Sequence, residues 1–489
     1  MSPSLKEIDS PVQMRLYGLT KHKFVMVFTS FCISFFVVLL IGILGPEAIG
    51  ESSITAKELG VSPKHFLTGP FTINSGLVNK FNQELWLFCK FKLRKLQVKE
   101  DYKLEREFRM TTQVLGTKKD SSHQLINHVN HNRTRTLKCD ASNCESLVVF
   151  HLGMLLNPSY LVTVRFFNLN LPDGVKVDNI IFTFKYYEEQ FTQIQIWFRF
   201  VFLVLAFTVT CLFTHSLRQY PVRDWCIEQK WMSILLPLLL LYDNPLFPLA
   251  FLVKNWIPSL FDVIFQATFF SALLMFWLCA YHGIRQNNRK FVSFYLPKLI
   301  LVAAIWITGC TILSWQEYNE IQDPSYQYKV DSGHFLALKV FFFVLGALYV
   351  VYLIVLLIQA FQDLKNMPYF DVRLKFLTIL MLLVVLISLV AVFLRFGSAV
   401  LEDNFVADVS TRYKNSVEFL AFYGLFNLYL YTMAYMYTPL SSKGSGLKPV
   451  PSSFSIIADS DDENLPYREV KKKKLTNLDD FTSDDEING

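Results

Sequence analysis

Charge is what this sequence lacks most. Only 18% of its 489 residues are Asp, Glu, Lys or Arg, against roughly 25% in an ordinary soluble domain. A soluble chain of this length would form several domains with polar surfaces, and this one has too little charge to coat them. Cysteine is scarce too, with eight in all, which excludes a disulfide scaffold of this size. The net charge is +6 and no basic stripe is interleaved with aromatics, so no nucleic-acid partner is expected. Enzyme signatures are missing: there is no P-loop, no Gly-x-Ser-x-Gly and no His-Glu-x-x-His. The nine histidines are scattered. His123, His128 and His131 cluster in what reads as a solvated loop, without a carboxylate or thiol at metal-ligand spacing. The expectation is a non-enzymatic protein with no cofactor and no metal.

What is present is apolar. Hydrophobic residues make up 52% of the chain, and 46 are Phe. Eight apolar runs occur at 24–44, 194–213, 231–251, 259–281, 296–313, 335–361, 376–396 and 417–437. Each is long enough to cross a bilayer as a helix. On one side, the short loops and one span edge carry Arg218, Arg223, Lys230, Arg285, Arg289, Lys290, Lys298, Lys365, Arg373 and Lys375. The other side has only Lys254, Lys329, Arg412 and Lys414. Ten bases against four place the richer side in the cytoplasm, together with both termini. The first run is longer than the core of a signal peptide and leads into Gly45-Pro46-Glu47, with no clear small-x-small cleavage site. It therefore reads as an uncleaved signal anchor. The organisation expected is a cytoplasmic N-terminus over 1–23, the anchor over 24–44, a lumenal or extracellular domain over 45–192, seven helices over 193–438 and a tail over 439–489.

The segment 45–192 is soluble in character. Residues 85–93 alternate Leu, Leu, Cys, Phe, Leu on one face. Further strand-like runs lie at 147–152, 160–167 and 180–187, separated by Asn157-Pro158-Ser159 and Pro172-Asp173-Gly174. This composition predicts an antiparallel β-sandwich. Asn132-Arg133-Thr134 is a glycosylation sequon, whereas Asn157-Pro158-Ser159 is excluded by its proline. Cys139 and Cys144 bracket four residues, a spacing that can close a small disulfide loop in an oxidising compartment. Cys89 is expected to pack on its apolar strand face.

Charges inside spans are costly and each needs a reason. Arg199, Asp243, Asp262, Lys339, Arg395 and Glu418 all fall in the lumenal half of their spans. One reading is a lumen-facing cavity between helices, lined by this set with Asn244. The other is interfacial placement, since Arg199, Lys339, Arg395 and Glu418 can reach water themselves. Asp262 fits either. Asp243 is about 12 Å deep at 1.5 Å per residue, too far for its short side chain. It stands in Tyr242-Asp243-Asn244-Pro245, where the proline frees a carbonyl and can kink the helix. Asn427 and Tyr423, Tyr429, Tyr431 and Tyr435 make the last span polar, a pattern that suits helix–helix hydrogen bonds.

The tail is rich in Pro, Ser, Gly and charge and is expected to be disordered. Ser460 and Ser483 each precede Asp-Asp-Glu, as acidic-directed phosphorylation sites do. Tyr467-Arg468-Glu469-Val470 has the Tyr-x-x-apolar pattern that clathrin adaptors read as an added strand. The basic block 471–474 suits anionic lipid.

The layout, with residues 196–200 (Ile-Trp-Phe-Arg-Phe), 223–237, 281–285 (Tyr-His-Gly-Ile-Arg), 367–369 (Met-Pro-Tyr), 394–397 (Leu-Arg-Phe-Gly), 403–407 (Asp-Asn-Phe-Val-Ala) and 132–137, resembles the Wntless-like, GOLD-domain seven-transmembrane family. That resemblance spans about residues 12–438. It implies a GOLD-like β-domain above a helical bundle with a lipid-accessible cavity, and a carrier or receptor of the secretory pathway. The expected partners are membrane lipid, a secreted or lipidated protein ligand, and a clathrin adaptor at the tail. The expected location is the plasma membrane, Golgi or endosomes. Two other classes stay open: a G-protein-coupled signalling receptor and an ion channel or transporter.

Overall fold

Period-two alternation in 85–93 builds the central strand of the β-domain. In the computed structural model, Leu85, Leu87, Cys89, Phe91 and Leu93 all point inward and are buried, on a strand running Leu85–Lys95. The structure describes residues 12, 14–95, 103–118, 121–124, 131–140, 143–172, 174–253, 257–285, 290–323, 325, 335–364, 368–396 and 413–440. Ser460, Tyr467, Val470 and Ser483 lie outside the described residues.

Among the described residues, ten strands form the domain: β1 (Ile49–Thr55), β2 (Phe71–Asn74), β3 (Leu85–Lys95), β4 (Lys103–Lys118), β5 (Ser121–Gln124), β6 (His131–Asp140), β7 (Asn143–Cys144), β8 (Leu147–Leu152), β9 (Ser159–Phe167) and β10 (Val175–Tyr187). All pairings are antiparallel. β1, β10, β3 and β8 form one layer; β2, β9, β4 and β6 form the other. The short β7 links them by pairing with both β6 and β3. Rings from the two layers meet in the middle: Phe71–Phe182 at 5.2 Å and Phe91–Phe166 at 5.3 Å between centroids. Burying each such side chain contributes about 1.5–3 kcal/mol. Burial pushes the Cys89 thiol and the Tyr160 phenol up from their usual pKa ranges, which keeps both neutral. Cys139 and Cys144 are joined in a disulfide across the β6–β7 hairpin. His123 and His131 are strand positions, on β5 and at the start of β6, where the sequence suggested a loop.

Among the described residues, nine α-helices occur: α1 (Lys21–Ile43), α2 (Glu189–Leu217), α3 (Ile227–Tyr242), α4 (Leu249–Leu252), α5 (Ile257–Arg285), α6 (Leu296–Gln322), α7 (Phe335–Leu364), α8 (Pro368–Phe396) and α9 (Ser416–Tyr437). Among the described residues, six stretches are long and apolar enough to cross a membrane; they lie in α1, α2, α5, α6, α7 and α8. The two remaining long runs have physical reasons to differ. α3 stops after 16 residues. α9 is buried over most of its 22 residues, so protein replaces lipid around it and polar side chains are tolerated. α1 lies against α9 at two glycines. A Cβ at Gly42 would sit 2.8 Å from Val417 Cα, and one at Gly424 would sit 2.7 Å from Val38 Cγ1.

The β-domain is tied to the bundle on two sides. Asn79 donates to Glu189, Asn82 to the Tyr187 carbonyl, and Gln83 to Thr192 and Gln195 at the start of α2. Across the domain, Arg133 pairs with Asp323 just beyond α6, and Arg135 donates to the Ser325 carbonyl.

Candidate functional site: a broken helix beneath the β-domain

The expected third span, 231–251, is two pieces. α3 ends at Tyr242, Asp243 caps it, and Asn244 turns back with φ of 51°. Asparagine tolerates that left-handed conformation better than most residues, and Pro245 supplies no N–H to extend the helix. Asn244 Oδ1 instead accepts the Leu246 amide at 3.0 Å. A short turn and α4 follow.

This break sends two adjacent side chains into different networks. Asn244 Nδ2 donates to Asp262 Oδ1 on α5 at 2.7 Å. Arg199 Nη1 on α2 donates to the same oxygen at 2.8 Å, and Gln266 Nε2, one turn along α5, reaches Asp262 Oδ2 at 3.1 Å. The Arg199 guanidinium lies 3.9 Å from the Phe247 ring centroid and 4.9 Å from that of Tyr423, close enough for cation–π attraction. Asp243 turns the other way: its Oδ1 accepts from Asn427 Nδ2 on α9 at 2.8 Å. Asn427 also donates to the Tyr423 carbonyl at 2.9 Å, and its Oδ1 lies 2.8 Å from the Tyr431 hydroxyl. Asp243 is fully buried.

Beside the break lies a half-open apolar cleft of about 220 Å³. Ile196, Trp197, Phe200 and Leu203 of α2 form one wall, and Pro245 and Phe247 the other, with Arg199 and Asn244 in the lining. Trp197 and Phe200 are exposed on the outer surface of the bundle, so the cleft opens sideways. A loop of the β-domain reaches down next to it: Phe81 stacks on Phe251 at 5.6 Å, and Lys80 Nζ donates to the Phe251 carbonyl at 3.2 Å.

Of the sequence candidates, the structure joins Arg199, Asn244 and Asp262 directly and sets Asp243 next to them through the chain. Glu418 sits in the first turn of α9, where its Oε2 accepts the Lys414 amide at 2.8 Å and its own amide donates to Asn415. Lys339 and Arg395 are on α7 and α8, with side chains outside what the structure describes. Gln266 was missed, although it lies four residues after Asp262 on a helix and so shares its face.

A second polar centre, absent from the sequence reading, closes the far end of the bundle. Glu228 at the start of α3 is fully buried and is held by Arg373 of α8, whose Nε donates to Oε1 at 2.6 Å and whose Nη2 donates to Oε2. Gln229 caps α3 and donates to the Tyr437 carbonyl at 2.9 Å. The segment Met14–Gly18 packs here too: Arg15 N–H donates to Thr438 O at 2.9 Å, and Met14 and Leu16 are buried. Lys298 is also fully buried, with Nζ 2.8 Å from His282 Nδ1. Arg373 and Lys298, counted above with the loop-side bases, are thus interior groups.

A family model described as the Wntless-like transmembrane domain matches residues 188–441. Another, described as the GOLD domain of TMEM181, matches residues 69–187. Transmembrane protein 181 of Homo sapiens is 47% identical over 467 residues, which cover 95% of this chain and 96% of that protein. The chain is therefore a multi-pass membrane protein that belongs to the transmembrane protein 181 family, in which a GOLD domain is followed by a Wntless-like transmembrane domain.

Proposed function

We propose that this protein is a non-enzymatic receptor or cargo carrier of the secretory and endocytic pathway. Its β-domain faces the lumen or exterior and engages a secreted protein, and its bundle accepts that ligand's lipid group. The cleft beside Asn244 carries this reading. Its wall is almost wholly apolar, it opens sideways between α2 and the broken helix, and the β-domain loop with Phe81 and Lys80 packs on Phe251, whose ring meets the lining Phe247. An acyl chain would gain about 0.8 kcal/mol for each CH₂ it buries there.

Orientation rests on the basic loops. With Arg373 and Lys298 set aside as interior, eight bases face four, which still favours a cytoplasmic far end. Asn132 and Thr134 lie on the same exposed face of β6, open to a glycosylating enzyme if that domain is lumenal. In the tail, Tyr467 and Val470 would engage a clathrin adaptor for recycling, and Ser460 and Ser483 would take phosphate.

The test has two arms in live cells. Proximity labelling from the β-domain should recover secreted, lipid-modified proteins with wild type and lose them with Leu203→Trp, which fills the cleft. Tyr467→Ala should raise the surface level and slow internalisation. Unchanged uptake would remove the recycling role, and a labelled set indifferent to Leu203→Trp would remove the carrier role.

A further inference from the structure

The carboxylate of Asp243 is only half used. Asn427 occupies Oδ1, while Oδ2 is buried with no hydrogen-bond partner among the described residues. A buried ionised carboxylate is costly unless compensated by charge. The helices packed against α3 are chiefly α2, α5 and α9. In the half nearest the β-domain, the only base these three carry is Arg199, and its ion-pair partner is Asp262.

The backbone adds to the imbalance. Asp243 stands at the C-terminal end of α3, the negative end of the helix dipole. Asn244 N–H turns back to Leu241 O, Pro245 has no N–H, and Leu246 N–H goes to the Asn244 side chain. The carbonyls of Leu240 and Tyr242 therefore lose the amides that a continuing helix would bring. An unwound helix end inside a membrane, with freed carbonyls and a carboxylate, is chemistry suited to a cation.

We propose that Asp243 and the broken end of α3 form a binding site for one monovalent alkali cation, sodium in the first instance. The donors are all hard oxygens, which disfavours a transition metal. A single carboxylate balances one positive charge, whereas calcium sites draw on several. The Asn427 amide fixes the carboxylate plane and leaves Oδ2 for the ion. Asn244, the next residue, lines the cleft. The ion would then hold α3 to α9 at the point where the helix breaks, independently of whether the protein carries a lipidated ligand.

The experiment uses the purified full-length chain in detergent micelles. Unfolding temperature is followed as NaCl replaces N-methylglucamine chloride at constant ionic strength and pH, and ²²Na⁺ retention is measured in parallel. Wild type should show a rise of about 1.5 °C at a sodium concentration about tenfold above the dissociation constant, growing logarithmically beyond it, and should retain ²²Na⁺ saturably. Asp243→Asn, which keeps the acceptor for Asn427, should lose both responses and be no less stable than wild type without sodium. A wild-type unfolding temperature indifferent to sodium, a sodium response that survives in Asp243→Asn, or stability that follows pH with no ²²Na⁺ retained would each overturn the proposal. Should Asp243→Asn fail to fold, ²²Na⁺ retention by wild type decides alone.

Discussion

α3 carries a buried acidic centre at each end, and the two are built differently. At the far end, Glu228 is fully buried and both of its oxygens are taken by one guanidinium, that of Arg373. Near the β-domain, Asp262 keeps its side chain 17% exposed and shares Arg199 with two amide donors, Asn244 and Gln266. Asp243 has only an amide on one oxygen. The far-end pair is a clamp in which one guanidinium takes both carboxylate oxygens, and beside it the Tyr437 hydroxyl is buried with no partner among the described residues. The near end distributes its bonds over four elements and leaves a carboxylate oxygen and the Arg199 Nε unpaired among the described residues. A carboxylate with both oxygens on one guanidinium holds helices together. A partly matched one, beside a cleft, is where a ligand can change the balance.

The largest expected effect tests that contrast. Glu228→Gln removes one member of a buried pair and strands Arg373, which should cost about 3–5 kcal/mol and appear as a large drop in unfolding temperature. Asp262→Asn should cost less, about 1–3 kcal/mol, because its site is partly hydrated and rich in amide donors. Equal losses for the two variants would dissolve the distinction between clamp and site. Cys139→Ser opens a short loop remote from both ends and should cost about 2 kcal/mol, confined to the β-domain in hydrogen exchange.

A smaller effect concerns Tyr17 at the far end. Burial pushes the Tyr17 phenol from 10.0 up to about 12, against the opposing pull of Arg373. The unfolded chain releases this proton first. The Tyr17 contribution to stability is therefore constant below about pH 10 and is lost as pH rises from about 10 to about 12, in addition to the alkaline losses from Cys89 and Tyr160. Tyr17→Phe should lessen the alkaline loss between about pH 10 and 12; an unchanged profile would detach Tyr17 from the clamp. Smallest of all is Asn132→Gln, expected to shift stability by less than about 0.5 kcal/mol while abolishing a glycosidase-sensitive mass difference on gels.

These contrasts also mark what the sequence could disclose. The strand alternation of 85–93 and the apolar runs of α1, α2, α5, α6, α7 and α8 were legible because burial in a sheet or exposure to lipid writes a period or a composition. Asp243-Asn244-Pro245 was legible as an interruption, since a short acid and a proline in mid-span conflict with a continuous helix. Which helices Asp243 and Asn244 address was not, because pairing across 18 or 184 residues leaves no local pattern. Glu228 and Arg373 were hidden for a related reason. Each sits at a helix start next to loop charges of ordinary appearance, and only tertiary packing turns them inward. β4 and β6 escaped because their outward faces are dense in Lys, Arg, Glu and Thr.

The most direct measurement is photocrosslinking of a clickable, diazirine-bearing palmitate analogue to the full-length protein in membranes, with the adducts mapped by mass spectrometry. The expected result is labelling of peptides containing residues 196–203 and 244–248, competed by unlabelled palmitate and lost in Leu203→Trp. Labelling spread evenly over the lipid-facing surfaces of α1, α7 and α8, unchanged by Leu203→Trp, would contradict a ligand site at the broken helix.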